Sequence, residues 1–410
     1  MRSCLDVLRD IRDNGTVKGN RTCVGTKYVF SKNFRCDLRE GFPLLTTKKI
    51  NPLRVIGELF GFLRGATTVQ EFQELGSNIW DAWGLEDDYY RIVQLPVTEY
   101  ATKLAEHKGI TKDEAIAELA KVEQTFAEWQ AEMDAVIAKV SNNEIVGETE
   151  EQTMMLCSEA TNEVMVKKPK TVVEYLKDQG VDIFVKDIIY PQGYLGPIYG
   201  QQWSSWETSK GDVINQLKRV SQQLQNQPLS RRIIWTGWNP EFVPADKYDM
   251  IPNTNRPVNN SSDNVQASIM DGKQALPPCH LMTILDVDVD NEKQESILNM
   301  HVIMRSTDVP VGLPFTIASY AFLMEMIAKD FGFIAGVLSI DMTNCHIYED
   351  QLDLVAGQLE RLPTTLPTFK MPEGIRFDDP STLTRENVDR MVDAIEGYAP
   401  QAFIKFPVAV

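Results

Sequence analysis

The chain has 410 residues, 43% hydrophobic and 24% charged, a composition that fills an ordinary globular core and excludes disorder and fibrous repeats. Its net charge of −17 repels phosphate backbones and anionic lipid, which argues against a nucleic-acid or membrane-surface protein. No apolar run approaches the roughly 18 residues of a membrane span, and Arg2, Asp6 and Arg9 stand where a secretory leader is apolar, so a cytoplasmic chain is expected. The six cysteines lack CxxC spacing, which signals neither a disulfide scaffold nor a metal cluster.

In chain order, Leu5 to Asn14 has the apolar spacing of a helix, and Tyr28 to Cys36 reads as a strand. Pro52 to Leu63 is helical again, with Gly65 as a stop. Residues 86–190 differ in composition, with 22 acidic against 11 basic side chains. Within them Thr111 and Glu114 form a capping box, and Leu119, Val122, Phe126, Trp129, Met133, Val136 and Val140 recur at steps of three and four. The spacing predicts an amphipathic helix of about thirty residues whose stripe packs a core. Ser141, Asn142 and Asn143 end it, and Glu144 to Gln152 reads as a solvated loop. Strands are predicted at Arg232 to Trp238, Leu281 to Val289 and Ile297 to Met304. Pro240 to Gln274, rich in Pro, Asn and Ser, reads as a long surface loop, and Ile317 to Asp330 as a nearly all-apolar helix at the centre of the fold. Strands interrupted by helices without regular βαβ alternation favour an α+β architecture over a doubly wound sheet.

Two constellations carry chemistry. In Leu276-Pro277-Pro278-Cys279-His280 two prolines stiffen the backbone just before a thiol at a strand start, which is how a nucleophile is presented rigidly, although buried inert cysteines are commoner. The zinc-deaminase pattern needs P-C-x-x-C and is not met. In Ser230-Arg231-Arg232 and Arg305-Ser306-x-Asp308, guanidinium forks suit a phosphate monoester.

Taken in order, Arg21-Thr22, Gly41-Phe42-Pro43-Leu44-Leu45-Thr46-Thr47-Lys48, Glu58, Ile79-Trp80-Asp81-x-Trp83, Leu195-Gly196-Pro197-Ile198-Tyr199-Gly200, Ser230-Arg231-Arg232-Ile233-Ile234, Pro278-Cys279-His280, Arg305-Ser306-x-Asp308, Gly312-Leu313-Pro314-Phe315 and His346-Ile347-Tyr348 resemble the thymidylate synthase family. So does the C-terminal Pro407-Val408-Ala409-Val410. The resemblance spans about two-thirds of the chain and leaves 86–190 and 241–274 as insertions, the first a mostly helical acidic one beside the folate side of the cleft. It implies one thymidylate synthase-like α+β catalytic domain over residues 1–410, with a mixed sheet packed by helices and working as a homodimer. A pyrimidine deoxynucleoside monophosphate and 5,10-methylenetetrahydrofolate would share one cleft. The resemblance casts Cys279 as the thiolate that adds to C6 of the base, with Glu58, Tyr199, His280 and Arg305 as the rest of the catalytic set. Arg21, Arg305 and Ser306, with Arg231 and Arg232 of the partner subunit, correspond to phosphate ligands. His346 and Tyr348 correspond to contacts with the sugar. Asp308 and Thr316 complete the substrate set, and Ile79, Trp80, Trp83, Leu276, Asp308, Gly312, Phe315 and Val410 the folate set.

Departures from the family pattern fall at the base. Thr316 stands where synthases place an asparagine that reads O4 and N3 of uracil, Met304 where they have glutamine, and Asn344-Cys345 where an aspartate-led run is usual. They favour a 5-hydroxymethylase, acting on dUMP over dCMP, ahead of a methylating thymidylate synthase, a dCMP methylase or a non-catalytic dimeric nucleotide-binding relative.

Overall fold

The computed structural model describes residues 2–19, 24–92, 97–142, 144–147, 149–181, 187–244, 249–250, 257–258, 262–290 and 292–408. The chain divides into two compact units, Tyr90–Ile189 and the remainder, Met1–Tyr89 with Tyr190–Val410.

The larger unit is built on a six-stranded mixed sheet. Its strands are β1 (Thr16–Lys18), β2 (Thr26–Asp37), β3 (Ile233–Thr236), β4 (His280–Asp290), β5 (Glu295–Asp308) and β6 (Ile334–Tyr348), in the spatial order β1-β2-β6-β5-β4-β3. All neighbours are antiparallel except β5 and β6, which run parallel because the helix Gly312–Phe331 crosses between them. The register aligns one row, Ile233, Leu285, Met300, Leu338, under that helix, each at most 1% exposed. The adjacent row, Ile234, Ile284, His301, Ser339, Arg35, lies on the opposite face, because side chains alternate along a strand. The helix Gly312–Phe331 is buried along twelve of its twenty residues and stops at Gly332 in the left-handed conformation. It begins five residues before the predicted start, since Pro314 is tolerated in a first turn where no N–H partner exists.

The helices Arg2–Asn14 and Pro52–Arg64 form where their spacing predicts, the second capped by Asn51 and ended by Gly65 at φ +81°. The helix Tyr199–Ser204 packs against the end of Pro52–Arg64 because Gly200 has no side chain: a Cβ there would lie 2.5 Å from the Phe62 carbonyl oxygen.

Three expectations need correction. The strand expected at Arg232 to Trp238 begins at Ile233 and ends at Thr236, and Arg231 and Arg232 occupy the exposed turn before it. The loop expected from Pro240 to Gln274 contains the helix Ser262–Met270, because Ile269 is buried and Val265 and Met270 pack against the core beside it. The solvated loop of Glu144 to Gln152 gives way to the helix Glu150–Val166, capped by the Thr149 side chain.

The smaller unit contains the helices Val97–Lys108, Lys112–Ser141, Glu150–Val166 and Val172–Asp178. The thirty-residue helix starts at the capping box read from sequence: Thr111 N–H donates to Glu114 Oε2 at 2.8 Å, and Glu114 N–H to Thr111 Oγ1 at 3.3 Å. Along its stripe Leu119 and Met133 are buried and Val122, Phe126, Trp129, Val136 and Val140 half-buried. Leu119 joins Tyr100, Leu104 and Leu176 in this unit's own core, and Trp129 Nε1 donates to the Val164 carbonyl at 2.8 Å.

No helix among the described residues is long and apolar enough to cross a membrane.

Candidate active site

The chemistry-bearing residues gather at one end of the sheet, where β4 begins and the parallel strands β5 and β6 finish. Register pairs His280 with Met304, Ser306 with Asn344 and Asp308 with His346, so residues distant in sequence become neighbours. A break in register between His280 and Met282 re-aims the start of β4, as bulges beside active sites do.

Cys279 sits immediately before that break. Arg305 reaches across from β5 and locks the approach: its Nε donates to the Pro278 carbonyl at 2.9 Å and its Nη2 to the Pro277 carbonyl at 2.7 Å. The same Nη2 lies 3.9 Å from Cys279 Sγ, within reach of a hydrogen bond to sulfur. Cys279 N–H donates to Tyr199 Oη at 2.6 Å, so Tyr199 fixes the backbone of Cys279 while Arg305 faces its sulfur. Burial, and then the neighbouring Cys279, keep the Tyr199 phenol well above its usual range and therefore protonated. His280 stacks on Tyr199, ring centroids 4.1 Å apart, and its Nδ1 is 2.7 Å from Tyr320 Oη. Burial pushes its pKa down to about 3, so the imidazole stays neutral.

Glu58 comes from the helix Pro52–Arg64. Burial raises its carboxyl to about 7, against the lowering effect of Trp80 Nε1, which donates to Oε1 at 3.0 Å. Trp80 lies 6.1 Å from both Tyr199 and Trp83, ring centre to ring centre, and so links Glu58 to the thiol group. Trp83 Nε1 is buried with no hydrogen-bond partner among the described residues.

Asp308 is also raised, to about 6, by burial, against Gln351 Nε2 donating to Oδ2 at 3.0 Å and Val311 N–H to Oδ1 at 3.3 Å. His346 Nδ1 lies 3.0 Å from Asn344 Oδ1, its ring meets Tyr348 edge-on, and burial lowers it to about 4. Gly312, Phe315 and Thr316 form the first turns of the central helix, where Thr316 Oγ1 donates to the Gly312 carbonyl at 3.1 Å. Ile79 and Leu276 are half-buried against the main core.

Not every expected residue joins this cluster. Arg231 and Arg232 stand exposed, without an ion pair among the described residues. Arg21 and Val410 lie outside the described residues. Two buried residues were given no role by the sequence reading, although Lys48 stood in one of its motifs. Lys48 is 4% exposed, donates to the Pro310 carbonyl at 2.5 Å and is lowered to about 8 by burial. Gln351 is fully buried. The signal for Lys48 was its place at the end of an apolar run, where a cation has little reason to be unless it is bonded; Gln351 carried none.

The family model described as thymidylate synthase matches residues 2–410. Curated proteins named thymidylate synthase match the whole chain over their own full length: one from Listeria innocua serovar 6a is 30% identical over 410 residues, and one from Listeria monocytogenes serotype 4b (strain F2365) is 29% identical over 415. The chain therefore belongs to the thymidylate synthase family, one-carbon transferases whose donor is 5,10-methylenetetrahydrofolate.

Proposed function

We propose that the chain transfers a one-carbon unit to C5 of a deoxypyrimidine 5′-monophosphate, dUMP in preference to dCMP, with Cys279 as the nucleophile at C6. The observation that carries this reading is Cys279 at the end of the sheet, its backbone N–H held by Tyr199 Oη and its Sγ facing the Arg305 guanidinium. Addition of the thiolate to C6 makes C5 a carbon nucleophile and divides one difficult step into easier ones. Glu58, with a pKa of about 7, can both take and return a proton near neutrality. Tyr199 positions the acceptor of the C5 proton, and neutral His280 holds Tyr199 in place.

Arg305 and Ser306, with Arg21, bind the phosphate, and His346 and Tyr348 the sugar. Thr316 already donates to Gly312, so toward the base its oxygen can only accept, which suits uracil N3–H and disfavours the N3 lone pair of cytosine. The folate supplies the carbon and, for a methyl product, the hydride. The orphaned Trp83 Nε1 and the Asp308 carboxylate offer the donor and acceptor such a ring needs, with Ile79, Trp80, Leu276, Gly312 and Phe315 as walls.

A homodimer fits two features of the larger unit. The apolar Ile234 and Ile284 lie on the sheet face opposite the central helix, and the exposed Arg231 and Arg232 make no ion pair among the described residues. A second copy would cover the first and receive the second at its phosphate.

Of the two fates of the exocyclic methylene, reduction to methyl is the better supported. Met304 is 2% exposed and belongs to the core, and Asn344 is engaged with His346, so neither departure opens space beneath the base. The Glu58–Trp80 bond and the buried Phe406 favour a cleft closed to water. The hydroxymethyl product, favoured by the sequence, now rests on Thr316, which is shorter than asparagine and leaves room for a water. Absorbance at 340 nm separates them, because dihydrofolate forms only when hydride is transferred. A rise matching product one for one supports methylation; hydroxymethylated nucleotide without a rise refutes it.

A further inference from the structure

The chain's last described residues come down beside Asp308, and one amide touches both. Gln351 lies in the short helical turn Glu349–Gln351 that follows β6. Both of its amide hydrogens are used: Oε1 accepts the Tyr348 backbone N–H at 3.1 Å, while Nε2 donates to Asp308 Oδ2 at 3.0 Å and to the Pro407 carbonyl at 2.9 Å. An amide nitrogen has two hydrogens in one plane, and here both are committed. With Oε1 pinned, the group cannot turn to replace a lost acceptor, and a buried donor without a partner is costly.

The neighbouring residue is held as well. The Lys48 ammonium sits 4.7 Å from the Phe406 ring centroid. Phe406 is 6% exposed, whereas Val408, two residues on, is 53% exposed, so the last firmly docked point is at 406–407.

We propose that Gln351 is a positioning residue that couples docking of the C-terminal segment to the orientation of Asp308. When Pro407 is seated, Gln351 holds Oδ2 and leaves Oδ1, which among the described residues accepts only from Val311 N–H at 3.3 Å, to receive a donor from the folate. When the segment lifts, Gln351 loses an acceptor and Asp308 loses its fixed direction. The inference rests on the reading of Asp308 as a folate-pocket residue.

Two variants test it. Gln351→Met removes both donors at nearly constant volume. Gln351→Glu keeps the oxygen that takes Tyr348 N–H and sets a second oxygen against two acceptors. In each, the folate KM should rise about tenfold or more, since a hydrogen bond to a buried carboxylate is lost. Carboxypeptidase should trim the C-terminus about fivefold faster. The nucleotide Kd should remain close to that of the parent chain, while the Tm falls by a few degrees because buried partners of Gln351 lose their hydrogen bonds. Unchanged folate KM and trimming would overturn the coupling, as would a nucleotide Kd that moves in step with the folate KM.

A third measurement covers poor folding of either variant. In chains lacking residues 407–410, Gln351→Met should weaken folate binding, followed by tryptophan quenching, much less than it does in the full chain; equal losses would overturn the coupling. If the parent chain itself releases no tritium from C5 in the presence of folate, the functional reading fails. If the parent turns over and the Gln351 variants match it, the coupling alone fails.

Discussion

Glu58→Gln should make the protein more stable at alkaline pH while destroying its activity. Glu58 is raised from 4.5 to about 7, chiefly by burial. At about 1.4 kcal/mol per unit this difference amounts to roughly 3 kcal/mol, an upper figure because the folded site relaxes and admits some water. A carboxyl whose pKa is higher in the folded chain contributes stability below its unfolded value, near 4.5, and loses that contribution as the pH rises through about 7. Above pH 7 the wild-type chain therefore holds a buried carboxylate at a cost that a neutral amide avoids. Glutamine keeps an oxygen to accept from Trp80 Nε1, so the existing bond at 3.0 Å survives. Urea unfolding of both proteins at fixed concentration, from pH 5 to 8.5, should give curves that converge at the acid end and separate by about 2–3 kcal/mol in favour of the variant at the alkaline end. Turnover should fall by about 10² to 10⁴ throughout, the usual contribution of a general acid or base. A stability difference that is independent of pH, or a variant less stable at pH 8, would refute the placement of Glu58 as a costly buried carboxyl.

Cys279→Ala should abolish tritium release from C5 while leaving the Tm within a few degrees, because the thiol supplies bond making and only one small side chain's packing; release at the parental rate would remove Cys279 from the mechanism. Chains carrying Cys279→Ala mixed with chains carrying Arg232→Glu should recover part of the lost activity, since a hybrid dimer holds one site with both an intact thiol and an intact arginine from its neighbour. No recovery, with subunit exchange demonstrated, would count against shared sites.

The local elements were legible in the sequence because their signals are local. The stripe from Leu119 to Val140 and the Thr111–Glu114 box specify a helix wherever the segment lies, and the observed helix Lys112–Ser141 follows them. Asn51 and Gly65 mark the ends of Pro52–Arg64 for the same reason. The central strand Ile334–Tyr348 was not predicted, although Leu338, Ile340 and Met342 alternate; Gly336, Asp341 and Asn344 mask the pattern, and the strand is stabilised from β2 and β5 on either side. The candidate nucleophile was visible as a thiol after two prolines, a property of three consecutive residues. What surrounds it was not. Arg305 meets Pro277 and Pro278 only because β4 and β5 pair, Tyr199 reaches Cys279 only because Gly200 lets its helix close on Phe62, and Gln351 finds Asp308 and Pro407 from three distant stretches of chain. Hydrogen-bond partners, and the burial that moves Glu58 and Asp308 toward neutrality, depend on which surfaces meet in space, and that is decided by strand pairing and packing of the whole chain.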